Sequence, residues 1–226
     1  MTQPRVKICG LRQASDAVFA AQKGVDAIGL VFYPPSPRSV DMATAKEIAH
    51  ALPPFVSCVG LFVDATASQI DKVLSQVPLS LLQFHGDESP EFCDQFQLPW
   101  IKAVRMRPNI DLHQQRQHYK GAQGLLLDAY KPGVPGGTGD QFDWHRIPAD
   151  IAEDVVLAGG IDCYNVQQAI QQVNPWAIDV SGGVESDKGV KDRAKITAFM
   201  GQAKPNLFNL PSKLLNHVEI KGTPSD

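Results

Sequence analysis

Long apolar runs are missing from this sequence. None approaches the roughly 20 residues that a helix needs to cross a bilayer, so no membrane-spanning helix is expected. Cysteine is sparse. The four present, Cys9, Cys58, Cys93 and Cys163, stand far apart with no Cys-x-x-Cys pair, which reads as reduced thiols rather than a disulfide framework or a zinc site. Six histidines do not supply a metal set: His113 and His118 are the wrong number of residues apart to share a helix face. Net charge is nearly absent. The 21 basic and 24 acidic residues leave a formal charge of −3, which gives no electrostatic reason to bind nucleic acid or an anionic membrane. The start, Met1–Lys7, has no secretory apolar core and leads straight into a strand-like segment; with the isolated thiols this points to the cytoplasm.

What the chain does have is a rhythm. Its 226 residues are 43% apolar, long enough for a sizeable core. Eight short apolar or β-branched runs begin near Arg5, Ala27, Ser57, Leu81, Trp100, Gly124, Val155 and Trp176, spaced about 19 to 31 residues apart. Each interval fits a strand, a loop, a helix of about three turns and a second loop. Helix-like stretches lie between most runs. Ser15 is placed to cap DAVFAAQK, and Thr44 stands at the start of AKEIAHAL. Over Ala65–Val77 the residues Ile70, Val73, Leu74 and Val77 share a face, and Ser89-Pro90 is a helix start. Asn165 and Asp192 are placed to cap the last two helices. The weakest patterns are the fifth (Ile110–His118) and the sixth (near Asp143–Ile147).

Strand–helix alternation predicts an α/β fold with a parallel sheet. An open dinucleotide-binding sheet would carry G-x-G-x-x-G after its first strand, where this chain has Cys9-Gly10-Leu11-Arg12. Eight units at this spacing instead predict a single-domain (β/α)8 TIM barrel over residues 1–204. Residues 205–226 carry Pro205, Pro211 and Pro224 and read as an appended tail, partly helical near Ser212–His217.

In a strand, residues two apart share a face, and in this barrel class the chemistry sits at the C-terminal strand ends. The pattern places Cys9, Gln83, His85, Asp128, Asp179 and Ser181 inside, toward that mouth, with Lys7 and Lys102 lower in the lumen. Buried carboxylates are costly unless paired, so several polar groups converging on one mouth suit a site better than a core. Two glycine pairs, Gly159-Gly160 and Gly182-Gly183 beside Ser181, follow the seventh and eighth runs, where this fold binds phosphate. A third glycine-rich loop contains Gly137, Thr138 and Gly139 and reads as a flap that closes over a ligand or adds phosphate contacts. Arg38 lies in a proline-stiffened loop after the second run, suited to clamping a carboxylate or phosphate. The residues alone reach an acid–base enzyme for a phosphorylated metabolite. Two other readings stay open: a Schiff-base aldolase or synthase using Lys102, and a non-catalytic sensor that keeps the phosphate loops.

Taken in order, Lys7-Ile8-Cys9-Gly10, Ser36-Pro37-Arg38, Gln83-Phe84-His85-Gly86, Leu127-Asp128, Gly136-Gly137-Thr138-Gly139, Ala158-Gly159-Gly160-Ile161 and Asp179-Val180-Ser181-Gly182-Gly183-Val184-Glu185 resemble the phosphoribosylanthranilate isomerases of tryptophan biosynthesis. The resemblance implies an Amadori rearrangement of N-(5-phosphoribosyl)anthranilate to 1-(2-carboxyphenylamino)-1-deoxyribulose 5-phosphate. It implies no cofactor and no metal, and a phosphorylated small molecule as the partner of a monomer or homodimer. It also implies Asp128 as general acid, Cys9 as general base, and Arg38 on the anthranilate or its carboxylate. Asp179 would bind the ribosyl hydroxyls, and Gln83 and His85 would support the site. Free Asp and Cys both hold the wrong protonation state near neutrality, so the acid must be raised and the base lowered. Lys7, on the same face as Cys9, is the candidate cation for lowering the thiol; pairing with a barrel carboxylate is its alternative.

Overall fold

Each of the eight apolar runs forms a strand in the computed structural model, which describes residues 3–130 and 141–205. The strands are β1 (Arg5–Cys9), β2 (Ala27–Val31), β3 (Ser57–Phe62), β4 (Leu81–Phe84), β5 (Trp100–Arg105), β6 (Leu125–Asp128), β7 (Val155–Leu157) and β8 (Ala177–Val180). They pair in parallel in sequence order, and β8 returns to β1 to close the barrel. The connecting helices are α1 (Ala14–Gln22), α2 (Met42–Ala51), α3 (Ala67–Leu74), α4 (Pro90–Asp94), α5 (Leu112–His118), α6 (Val166–Val173) and α7 (Arg193–Ala203). A two-stranded hairpin, β9 (Glu185–Asp187) and β10 (Val190–Lys191), precedes α7. No helix among the described residues is long and apolar enough to cross a membrane. Residues 206–226, read as the tail, lie outside the described residues.

Local chemistry explains most helix starts and corrects three expectations. Asp192 caps α7 by accepting from Ala194 N at 2.8 Å and Lys195 N at 3.0 Å, and Thr66 forms a capping box with Gln69. Ser15 does not cap α1, because the helix begins one residue earlier, at Ala14, after Gln13. Asn165 does not cap α6 with its side chain; its amide turns back to hold the preceding loop through Asp162 N and Gly160 O. The sixth connection forms two 3-10 turns, Trp144–Arg146 and Ala149–Asp154, in place of an α-helix. At α2 the cap is Asp41, which accepts from Thr44 N at 2.8 Å.

Period-two alternation sorts the strand residues into two cores. Ile101, Ala103, Leu126, Val156, Ala158 and Ala177 pack inside the barrel, while Ile8, Ile28, Phe84, Val104, Leu125 and Ile178 pack against the helices. Phe84 anchors the outer layer behind β4, with ring centroids of Phe92, Phe96 and Trp100 about 6 Å away. Lys102 lies between Ile101 and Ala103 and therefore faces outward, against the expectation of an inward lysine. Its ammonium donates to Gly86 O at 2.6 Å and to the buried Glu88 carboxylate at 3.1 Å. The Schiff-base reading loses its lysine, since this one is held in an ion pair outside the lumen.

Candidate active site

Strand ends build the site. Cys9 closes β1, Gln83 and His85 flank the end of β4, Asp128 closes β6, and Asp179 and Ser181 flank the end of β8. All six line one cavity of about 670 Å³ at the C-terminal mouth, together with Arg38 and the glycine pairs after β7 and β8. Gly137, Thr138 and Gly139 lie outside the described residues.

Register dictates the first contact. Lys7 is the direct neighbour of Asp179 across the β1–β8 seam, and its ammonium reaches the carboxylate at 2.9 Å with both side chains buried. Burial works against the charged lysine, but Asp179 and then Cys9 outweigh it and raise its pKa. Lys7 also faces the thiol: a Cβ added at Gly29 would lie 2.8 Å from Cys9 Sγ and 3.0 Å from Lys7 Nζ. Glycine at 29 therefore leaves the space in which these two groups meet. Both expected roles of Lys7 are present, but they compete. Burial pushes the Cys9 thiol up, Lys7 pulls it down, Asp179 opposes Lys7, and the outcome is a pKa above the ordinary value. The expectation of a lowered thiol is thus corrected: desolvation of the buried sulfur, with Asp179, outweighs the Lys7 and Lys191 ammoniums. Ser181 fixes the same segment, its hydroxyl donating to Cys9 O at 3.0 Å.

Across the mouth, Asp128 Oδ1 accepts from Ala129 N at 2.9 Å, and Oδ2 faces His85 Nε2 at 3.2 Å. His85 Nδ1 in turn faces the Gln83 amide nitrogen at 3.0 Å. Gln83, His85 and Asp128 therefore form a chain of contacts, buried throughout.

Arg38 is already occupied. Its Nε and Nη2 make a two-pronged contact with Glu185, each bond 2.8 Å long, and Glu185 raises the guanidinium pKa against the opposing effect of burial. Lys191 completes the cluster at 2.8 Å from Glu185 and 3.0 Å from Ser181 O. Burial works against the Glu185 charge, but Arg38 and Lys191 hold its carboxyl below the usual range. Glu185 and Lys191 were not singled out by residue type and spacing. Glu185 ends the Asp179–Glu185 motif, but its partner Arg38 is 147 positions away, and Lys191 sits on a hairpin that the eight-unit rhythm does not predict.

The glycine pairs have a steric basis. A Cβ at Gly183 would sit 2.1 Å from Ile161 O, so glycine lets the loops after β7 and β8 touch. Gly159, at φ 79°, would place a Cβ 2.6 Å from Ala129 N and 3.2 Å from the Asp128 carboxylate. The two loops thereby touch each other and pack beside Asp128.

Comparison with known proteins gives a consistent result. A family model described as N-(5'phosphoribosyl)anthranilate (PRA) isomerase matches residues 6–202. A protein of Pseudomonas putida named N-(5'-phosphoribosyl)anthranilate isomerase is 55% identical over 204 residues, covering 90% of this chain and 99% of its own. The crystal structure of phosphoribosyl anthranilate isomerase from Thermotoga maritima superposes with a TM-score of 0.81 at 39% identity, over 89% of this chain and 99% of that one. A crystal structure of the same kind of enzyme in complex with reduced 1-(o-carboxyphenylamino)-1-deoxyribulose 5-phosphate matches with a TM-score of 0.76 at 37% identity, over 89% and 99% of the two chains.

Proposed function

The chain belongs to the N-(5'-phosphoribosyl)anthranilate isomerase family, and from that premise we propose that Cys9 and Asp128 are the base and the acid of its reaction. The protein is an isomerase of tryptophan biosynthesis, converting N-(5-phosphoribosyl)anthranilate to the aminoketose. In our reading the Asp128 carboxyl protonates the furanose ring oxygen, the bond from that oxygen to C1′ breaks, and the anthranilate nitrogen supplies the electrons, giving an iminium. The Cys9 thiolate then removes the C2′ proton, and the resulting enolamine tautomerises to the ketone. A buried thiol of raised pKa is a thiolate only in small fraction near neutrality, but that thiolate is the stronger base once formed.

The remaining assignments follow the cavity. Arg38, held in place by Glu185, meets the anthranilate carboxylate with the part of its guanidinium that Glu185 does not use. Asp179, anchored by Lys7, receives the ribosyl hydroxyls. The phosphate rests on Gly159, Gly160, Ser181, Gly182 and Gly183. We place the enzyme in the cytoplasm, in keeping with its four free thiols.

The observation that carries the reading is that Cys9, Asp128 and both glycine pairs line a single cavity. The test is the loss of the substrate's fluorescence on adding protein. Cys9→Ser and Asp128→Asn should each lower kcat by about 10²–10⁴, the usual range for general acid–base catalysis, while still binding a product analogue. Near-normal turnover by either variant removes that residue from its role.

A further inference from the structure

The contact chain Gln83–His85–Asp128 has a gap in its bonding. Gln83 Nε2 faces His85 Nδ1 at 3.0 Å, while Gln83 Oε1 is buried with no hydrogen-bond partner among the described residues. The amide is thus held at one end only. Turning it over exchanges its oxygen and nitrogen with almost no change of shape.

The two arrangements carry different numbers of protons. With the amide nitrogen on Nδ1, that ring nitrogen must be the acceptor, so the imidazole hydrogen lies on Nε2 and is donated to Asp128 Oδ2. Asp128 then receives hydrogen bonds on both oxygens, from His85 and from Ala129 N, an arrangement suited to a carboxylate and unable to give a proton. With the amide oxygen on Nδ1, that nitrogen carries a hydrogen, and the proton between Nε2 and Oδ2 can rest on the carboxyl. This second arrangement holds one proton more.

We propose that Gln83 is the positioning residue that loads the acid: with its amide oxygen turned to Nδ1 it holds His85 so that the Nε2 lone pair receives the Asp128 Oδ2–H. The reasoning rests on Asp128 as the acid of the reaction. The Oδ2–H turns from Nε2 to give its proton to the substrate's ring oxygen while His85 stays protonated on Nδ1; the proton that Cys9 takes from C2′ then returns through solvent to the space between Nε2 and Oδ2, which restores both the loaded acid and the thiolate. Gln83 stays turned throughout turnover, and the arrangement described above, with nitrogen on Nδ1, is the proton-poor resting form.

Other charges face this pair from every side. Arg105 of β5 is opposite Asp128 in register and donates to His85 O at 3.1 Å. Arg38 stands over the mouth, with Cys9 and the Lys7–Asp179 pair on β1 and β8. Glu88 and Lys102 lie behind Gly86, with Asp64 and Asp87 at the loop tips. None of these touches Nδ1, so a change at Gln83 alters the Nδ1 contact and leaves them in place.

The experiment is the pH profile of kcat/KM for two variants of the full chain, with histidine ¹⁵N NMR on the wild type. Gln83→Glu puts an anionic acceptor on Nδ1 and should move one limb of the profile up by about one pH unit, a tenfold gain in proton affinity. Gln83→Met removes the acceptor and should move the same limb down by a similar amount, with kcat falling more than tenfold and KM changing less than threefold. In the wild type, His85 should show a protonated Nε2 in the free enzyme and a protonated Nδ1 when a product analogue is bound. Two results overturn the proposal: a profile whose limbs stay fixed in both variants, or an Nδ1 that stays unprotonated with the analogue in place. The wild-type spectrum decides the matter even if a variant fails to fold. An active Asp128→Asn would instead overturn the acid assignment beneath it.

Discussion

Replacing Lys7 with methionine tests the electrostatics of the seam, because it removes an ammonium that faces two groups while keeping most of the stem. The first effect is on stability. The Lys7–Asp179 pair is 2.9 Å long, with side chains only 6% and 9% exposed, so the variant strands a carboxylate in a dry place. Removing one partner of such a pair costs about 3–5 kcal/mol, a large share of a typical domain's stability of about 5–15 kcal/mol. The second effect is on the thiol. Sγ and Nζ each lie within about 3 Å of one point above Gly29, which puts them no more than about 6 Å apart. Two unit charges at that distance interact by about 3 kcal/mol at an effective dielectric constant of about 20. Losing that attraction should slow alkylation of Cys9 at neutral pH on the order of ten- to a hundredfold, and kcat with it. Urea unfolding reads the first effect, and iodoacetamide labelling followed on the Cys9 peptide reads the second. The double replacement Lys7→Met/Asp179→Leu should recover most of the stability and, because it also removes the Asp179 charge that opposes the thiolate, part of the labelling rate. A variant that melts within about 0.5 kcal/mol of wild type and labels at the wild-type rate would refute the argument.

Other expectations follow from single contacts. Gly183→Ala must move Ile161 O out of a 2.1 Å overlap, which should cost about 1–3 kcal/mol and raise KM for the phosphorylated substrate severalfold in a steady-state assay. Burial raises Cys58 and Cys93 from 9.0 to about 12, so the unfolded chain loses these protons at a lower pH than the folded one. Their contribution is intact below pH 9 and is lost as pH rises from 9.0 toward 12, by about 4 kcal/mol per thiol. Denaturant melts across that window should flatten in Cys58→Ala/Cys93→Ala. Asp192→Ala removes two cap bonds from α7 and should cost about 0.5–2 kcal/mol in the same melts.

The barrel was readable because its strands follow a two-residue period and their polar members gather at one end. Cys9, Gln83, His85, Asp128 and Asp179 each occupy the inward phase of a run whose outward residues are apolar, and all five line the mouth. Phase was misread on β5. There Trp100 and Val104 on one face and Ile101 and Ala103 on the other are all apolar, and each face carries one cation, Lys102 on the first and Arg105 on the second, so the period alone does not tell Lys102 which way to point. Its partner Glu88 lies in a loop, where no period applies. The Arg38–Glu185 fork was invisible for a different reason: the loop after β2 and the β9–β10 hairpin meet only once the barrel has closed. Caps were half legible, since Asp192 and Asn165 are both good capping types, yet only Asp192 is free to cap; Asn165 is committed to its own loop.

Because the first strand finds its counter-charge on the eighth, a nascent chain still emerging from the ribosome carries Lys7 with nothing to answer it until nearly everything has been made. Sealing the cylinder and tuning the sulfur are therefore one event. Any splitting, permutation or truncation of the gene that leaves this last joint loose will weaken the fold and the chemistry together.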